Sequence, residues 1–170
     1  MATTATDSKE LIILSLTRFF RLRKNLEVFL AHVDGKGEEK TSLRVIDWFV
    51  TNYSKVNNIT IIKPNGDHFH VYSSYRSQLK AYTKHQFDPF RRRYRINYYY
   101  DCDRFVETTI GQLNFFRWLI DNDILSFIRQ HQDEIESDMV SSTQEDLPKK
   151  IKNEANNMNQ FVGAKVVKFN

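Results

Sequence analysis

The sequence predicts an α+β protein, with about four amphipathic helices, two small antiparallel hairpins and a C-terminal strand on a polar tether. Three observations carry that expectation. Apolar residues recur at helical spacing within residues 11–30, 45–56 and 110–135. Two pairs of strand-forming runs flank turn-forming residues, within Ile59–Tyr72 and Tyr94–Val106. Phe161–Phe169 is strand-like but stands apart, after a stretch from Ser141 to Gln160 with almost no apolar residues. The predicted organisation is one globular domain over 1–140, a polar linker over 141–160 and a docking strand over 161–170.

Each element has its own signal. Asp7 with Glu10 reads as an N-cap pair opening a helix whose apolar positions are Leu11, Leu14, Phe19, Leu22, Leu26, Phe29 and Leu30, with Arg18, Arg21, Arg23 and Lys24 opposite. Asp34–Lys40 is a charged, glycine-containing connection. Thr41 or Ser42 caps the next helix, where Val45, Trp48, Phe49 and Val56 form a stripe that Ile46, Val50 and Tyr53 widen. Asn57 and Asn58 stop it. Ile59–Lys63 and His68–Tyr72 flank Pro64-Asn65-Gly66-Asp67, where proline presets one φ and Asn-Gly supplies the positive φ of a tight turn. Tyr75, Leu79 and Tyr82 mark a short basic helix that Asp88-Pro89 breaks.

From Tyr94 to Tyr100 the period is two, with Tyr94, Ile96, Tyr98 and Tyr100 on one face and Arg95, Asn97 and Tyr99 on the other. Asp101-Cys102-Asp103 turns the chain back through Arg104–Val106. Thr109 and Gln112 read as a capping box, followed by the buried stripe Ile110, Leu113, Phe116 and Ile120. Asp121-Asn122-Asp123 interrupts, and Ile124, Phe127, Ile128, His131 and Ile135 continue on a second helix ending near Met139.

Composition narrows the class. A chain of 170 residues, 41% hydrophobic and 14% aromatic, has enough apolar area for a core without covalent staples. Cys102 is the only cysteine, which excludes an internal disulfide and a thiolate cluster and fits a reducing compartment. The longest early apolar run, Leu11–Leu14 with Leu16, is far short of the roughly 20 residues that span a bilayer. No basic n-region precedes it, so neither a membrane-spanning segment nor a secretory signal is expected.

Charge is distributed unevenly. Residues 73–104 hold eight lysines and arginines against three aspartates, whereas residues 105–147 hold nine carboxylates against two arginines. Opposite patches on one molecule suit docking to neighbours or to further copies; solvated helix faces and a basic loop are the plainer account.

Thr51–Lys55 with Asn57-Asn58-Ile59, Val71-Tyr72 with Tyr75–Tyr82, Phe87–Phe90 with Arg92 and Arg93, and Glu107–Trp118 together resemble an uncharacterised protein family of nucleocytoplasmic large DNA viruses, relatives of chlorella viruses and mimiviruses. The resemblance covers about residues 45–139 and the terminal strand-like tail. It implies a viral protein and, with the charge layout and tail, a virion component such as a minor capsid protein. It also implies cysteine where this chain has Arg91 and glutamate where it has Tyr94. Those departures count against a metal or redox role at the turn.

The candidate site is therefore a contact surface. Arg91, Arg92, Arg93 and Arg95, interleaved with Phe90, Tyr94 and Tyr98, can clamp phosphates while the aromatics stack on bases. They can equally pair with the acidic helices of the same or a neighbouring subunit, and the acidic surplus downstream favours that reading. Phe161, Val167 and Phe169 are the contact residues of the tail. Asp67, His68 and His70 lack a marked further ligand, and a cap or turn role accounts for Asp103 and Glu107. Cys102, between two aspartates, is a poor nucleophile. No phosphate loop, Gly-x-Ser-x-Gly or His-Glu-x-x-His motif occurs. The expected function is structural, in a virus particle and in host cytoplasm during assembly, with other capsid proteins or further copies as partners, no catalysis and no cofactor. The alternative is a virus-encoded nucleic-acid-binding or transcription-related protein that uses the Arg91–Arg95 strand.

Overall fold

The computed structural model describes residues 3–33 and 41–143. Phe161, Val167 and Phe169, the Asp34–Lys40 connection and the tail beyond residue 143 lie outside the described residues. The architecture is α+β, with eight numbered α-helices, a π-helical turn, a further helical stretch over 132–143 and two separate antiparallel hairpins among the described residues, so the chain is cut into more and shorter helices than the expected four.

The first predicted helix is two. Helix α1 spans Thr3–Phe20 and α2 spans Arg23–Val33. Asp7 and Glu10 are therefore interior positions, not a cap pair. The break at Arg21-Leu22 lets α2 fold back, bringing the Phe20 and Phe29 rings to 5.1 Å, and Asn25 Nδ2 donates to the Phe19 carbonyl at the new end. The core stripe is consequently Leu16, Phe20 and Phe29, while Leu11, Leu14 and Leu22 of the expected stripe are exposed.

Ser42 caps α3 (Leu43–Trp48), accepting from the Val45 N–H at 3.2 Å. The chain then widens into a π-helical turn, Phe49–Tyr53, before the short α4, Ser54–Val56. The Ser54 N–H reaches the Phe49 carbonyl. One extra residue in a turn rotates the downstream residues by about 100°. Val45, Ile46, Phe49 and Val50 are buried as predicted, but Val56, downstream of the turn, is 79% exposed. Asn58, at φ 50°, ends the segment.

Strands β1 (Thr60–Ile62) and β2 (His68–His70) pair antiparallel, with Ile61 opposite Phe69 and the turn closing through Gly66 at φ 86°. Val71 and Tyr72, read as strand, instead open α5 (Val71–Ala81), because Val71 turns into the core and is fully buried. A separate turn of helix, α6 (Lys84–Phe87), carries a capping box between Thr83 and Gln86. Strands β3 (Arg95–Tyr99) and β4 (Phe105–Thr109) form the second hairpin, with Asn97 opposite Glu107.

Helix α7 (Ile110–Asp121) is the centre of the molecule and packs on α1, α2, α6, α8 and β4. Leu113, Phe115, Phe116 and Leu119 are all at most 1% exposed, so the expected single stripe is a helix buried nearly all round. Thr109 caps it by accepting from the Gln112 N–H at 3.1 Å. The return half of the predicted capping box is not made, since the Gln112 side-chain Oε1 accepts from the Thr108 hydroxyl at 2.8 Å. Gly111 sits where a Cβ would lie 2.6 Å from the Asp88 carbonyl, and that approach lets α6 press on α7. Helix α8 (Ile124–Gln130) comes after Asp123, and helix resumes over 132–143 with Ile135 buried. No helix among the described residues is long and apolar enough to cross a membrane.

Candidate binding surface

Arg91, Arg92 and Arg93 belong to the approach to β3, and only Arg95 lies in the strand. Asp88 organises that approach: its Oδ1 accepts from the Phe90 N–H at 2.9 Å and its carbonyl accepts from the Arg91 N–H at 3.3 Å. Pairing begins only at Arg95, opposite Thr109, because the turn after Pro89 keeps the preceding residues out of the ladder. Arg91 through Arg95 are all exposed.

Their partners differ. Arg91 Nε lies 3.8 Å from Asp88 Oδ2, a long contact between half-exposed groups that contributes little. Arg95 reaches across the hairpin to Glu107 Oε2 at 2.6 Å, so Glu107 is a cross-strand partner of an arginine. Arg92 and Arg93 make no ion pair or hydrogen bond among the described residues. Arg92 lines a small cleft of about 180 Å³ with Arg95, Glu107, Thr108 and Gln112.

The aromatics sort by strand parity. Tyr98, expected among the stacking residues, is buried against Phe20 with rings 6.3 Å apart. Burial raises its phenol pKa, and a hydrogen bond with Thr17 opposes the shift. Tyr94 is 62% exposed, its ring edge-on to His85 at 5.1 Å. On the outer face of the hairpin Tyr99 and Phe105 form an exposed pair, centroids 5.2 Å apart. Sequence reasoning passed over that pair, although the alternation from Arg95 to Tyr99 places Tyr99 beside the arginines. At the turn, Asp101 holds Arg104 at 2.7 Å, and this partner keeps the Asp101 carboxyl below its ordinary range. Cys102 is exposed beside it.

The acidic segment takes other partners. Glu134 accepts from the Tyr53 hydroxyl at 3.4 Å, Glu136 from Gln132 at 2.7 Å, and Asp138 from the Trp48 indole at 2.7 Å. Trp48 and Tyr53 fasten residues 132–143 to α3 and the π-helical turn, whereas the Gln132–Glu136 bond lies within the segment. No ion pair among the described residues joins that segment to the arginine run. The expected pairing of the arginines with acidic helices of the same subunit is thus absent among the described residues. His68 and His70 share an exposed strand face, with His70 Nδ1 2.8 Å from the Thr60 hydroxyl, and no group of three metal-ligating side chains occurs among the described residues.

These features define a small α+β protein organised around one buried helix, with a basic hairpin and its aromatics facing solvent. The chain belongs to a family of unknown function, DUF7197, whose pattern it matches over residues 3–167. It is 40% identical over 139 residues to a protein of Acanthamoeba polyphaga mimivirus described as uncharacterized protein L507. That alignment covers 76% of this chain and 53% of the relative, so the chain spans about half the length of the mimivirus protein. The likeness supports a viral protein of a large DNA virus. No solved structure matches it.

Proposed function

We propose that the protein is a non-catalytic structural component of a large DNA virus particle, a minor capsid protein that bridges neighbouring subunits. Charge segregation carries the reading. Glu134, Glu136 and Asp138 are held by neutral donors, and Arg92 and Arg93 stand without counter-charges among the described residues. Opposite patches left unsatisfied within a subunit are available to attract one another between subunits. The partners on this reading are other capsid proteins or further copies of the chain, met in host cytoplasm during assembly and retained in the virion. Quantitative mass spectrometry of purified, high-salt-stripped particles tests it. A fixed copy number tracking the major capsid protein is the expected result, and absence from the particle would sink the proposal.

One observation favours a second reading. Arg92 and Arg93, without partners among the described residues, lie beside exposed Tyr94, on the approach to the hairpin that carries the Tyr99–Phe105 pair, a combination suited to phosphates and unstacked bases. A nucleic-acid-binding protein would lose affinity steeply with salt, and Arg92→Gln with Arg93→Gln would flatten that slope by about two counterions.

A further inference from the structure

A second cleft lies on a different part of the molecule. It has a volume of about 550 Å³ and opens between α1, the end of α5, α6 and α7. Arg117 is its cation. One terminal guanidinium nitrogen donates to the Ser15 hydroxyl at 2.9 Å and the other to the Tyr82 hydroxyl at 3.2 Å. Both partners are neutral, and Arg117 makes no salt bridge among the described residues.

The rest of the lining is donor-rich. Arginine carries five N–H donors, so the two contacts leave three unspent. Ser15 and Tyr82 accept from Arg117 and keep their own O–H to donate. Gln86 Oε1 accepts from the Thr83 N–H at 3.1 Å, which leaves its amide nitrogen as a donor. Leu11 and Ile12 supply an apolar wall. Among the described residues no carboxylate lines this cleft, whereas the other two described clefts each contain a glutamate, Glu27 and Glu107.

We infer that this cleft binds an oxyanion, a carboxylate or a phosphate ester, carried on a compact apolar body. A guanidinium held in place by two hydroxyls offers its remaining fork to such a group at a reduced ordering cost. Leu11, 65% exposed, is then covered by the apolar part.

The test is a titration of the ¹⁵N-labelled protein with benzoate and, separately, with phenyl phosphate, followed through backbone amides and the Arg117 Nε–H. Saturable shifts confined to the cleft are expected from at least one probe, and which probe binds assigns the carboxylate or the phosphate. Arg117→Gln should weaken binding roughly tenfold or more, the scale of a lost charge-assisted hydrogen bond. Its spectrum away from the cleft checks that the fold is intact. Tyr82→Phe keeps the ring, removes one donor and should weaken binding several-fold. Binding of neither probe, or binding that both variants leave unchanged, would overturn the site.

Discussion

Helix α7 and the arginine-bearing approach to β3 are separated by only one hairpin in sequence, yet they use similar residues to opposite ends. In α7, Phe115, Phe116 and Trp118 are buried, and even Gln112 and Asn114 have their polar groups matched, Asn114 donating to the Gln86 carbonyl at 3.0 Å. Between Phe90 and Arg95, Phe90 and Tyr94 face water and two arginines stand without partners among the described residues. The difference separates the side chains that hold the fold from those left exposed for contact. The fold rests on α7, and the exposed approach can change without unfolding it.

The strongest test of that separation removes Phe116, which contacts Phe29, His32 and Phe115. Phe116→Ala should cost about 3–5 kcal/mol, the range for deleting a buried ring, measured by chemical denaturation. Next is Gly111→Ala, whose methyl would meet the Asp88 carbonyl at 2.6 Å. Backbone must shift to admit it, at a cost of about 1–3 kcal/mol, and α6 with the Asp88 turn should lose hydrogen-exchange protection first.

Asp47 gives a smaller effect with a defined sign. Burial, and then the Asp88 carboxylate, raise its pKa above the ordinary 3.8. The folded state therefore holds the proton more tightly than the unfolded chain, and stability falls as pH rises from 3.8 through the raised value. Asp47→Asn should raise the melting temperature modestly at neutral pH and leave it nearly unchanged below pH 3.8. Smallest of all, Arg92→Gln with Arg93→Gln should stay within about 0.5 kcal/mol of the parent in denaturation, as exposed unpaired substitutions do. A larger loss would mean that the approach supports the fold after all.

Much of this architecture was legible where the signal is local. The Pro64–Asp67 turn, the Ser42 and Thr109 caps and the alternation of β3 each depend on a few adjacent residues, and each is present. The features that escaped depend on contacts distant in sequence or on a shift of phase. Leu22 looked like part of one helical stripe, but the Phe20–Phe29 contact folds the chain there. The π-helical turn rotated Val56 to the surface, and Thr108 took the side chain of Gln112 from its expected capping partner. At the candidate surface the exposure of the arginines was readable from charge, whereas their lack of acidic partners required the positions of residues 132–143. Arg117 stands within the Glu107–Trp118 motif, but Ser15, 102 positions away, is the residue that builds its cleft.

The most direct measurement on the bridging proposal is zero-length carboxylate-to-lysine cross-linking of intact particles, read by mass spectrometry. The account predicts links from Glu134 or Glu136 to lysines of a different polypeptide, or to Lys80 or Lys84 of a second copy. Exclusively intramolecular links, together with ultraviolet cross-linking of Tyr94 or Tyr99 to the genome, would contradict it and establish nucleic acid as the partner.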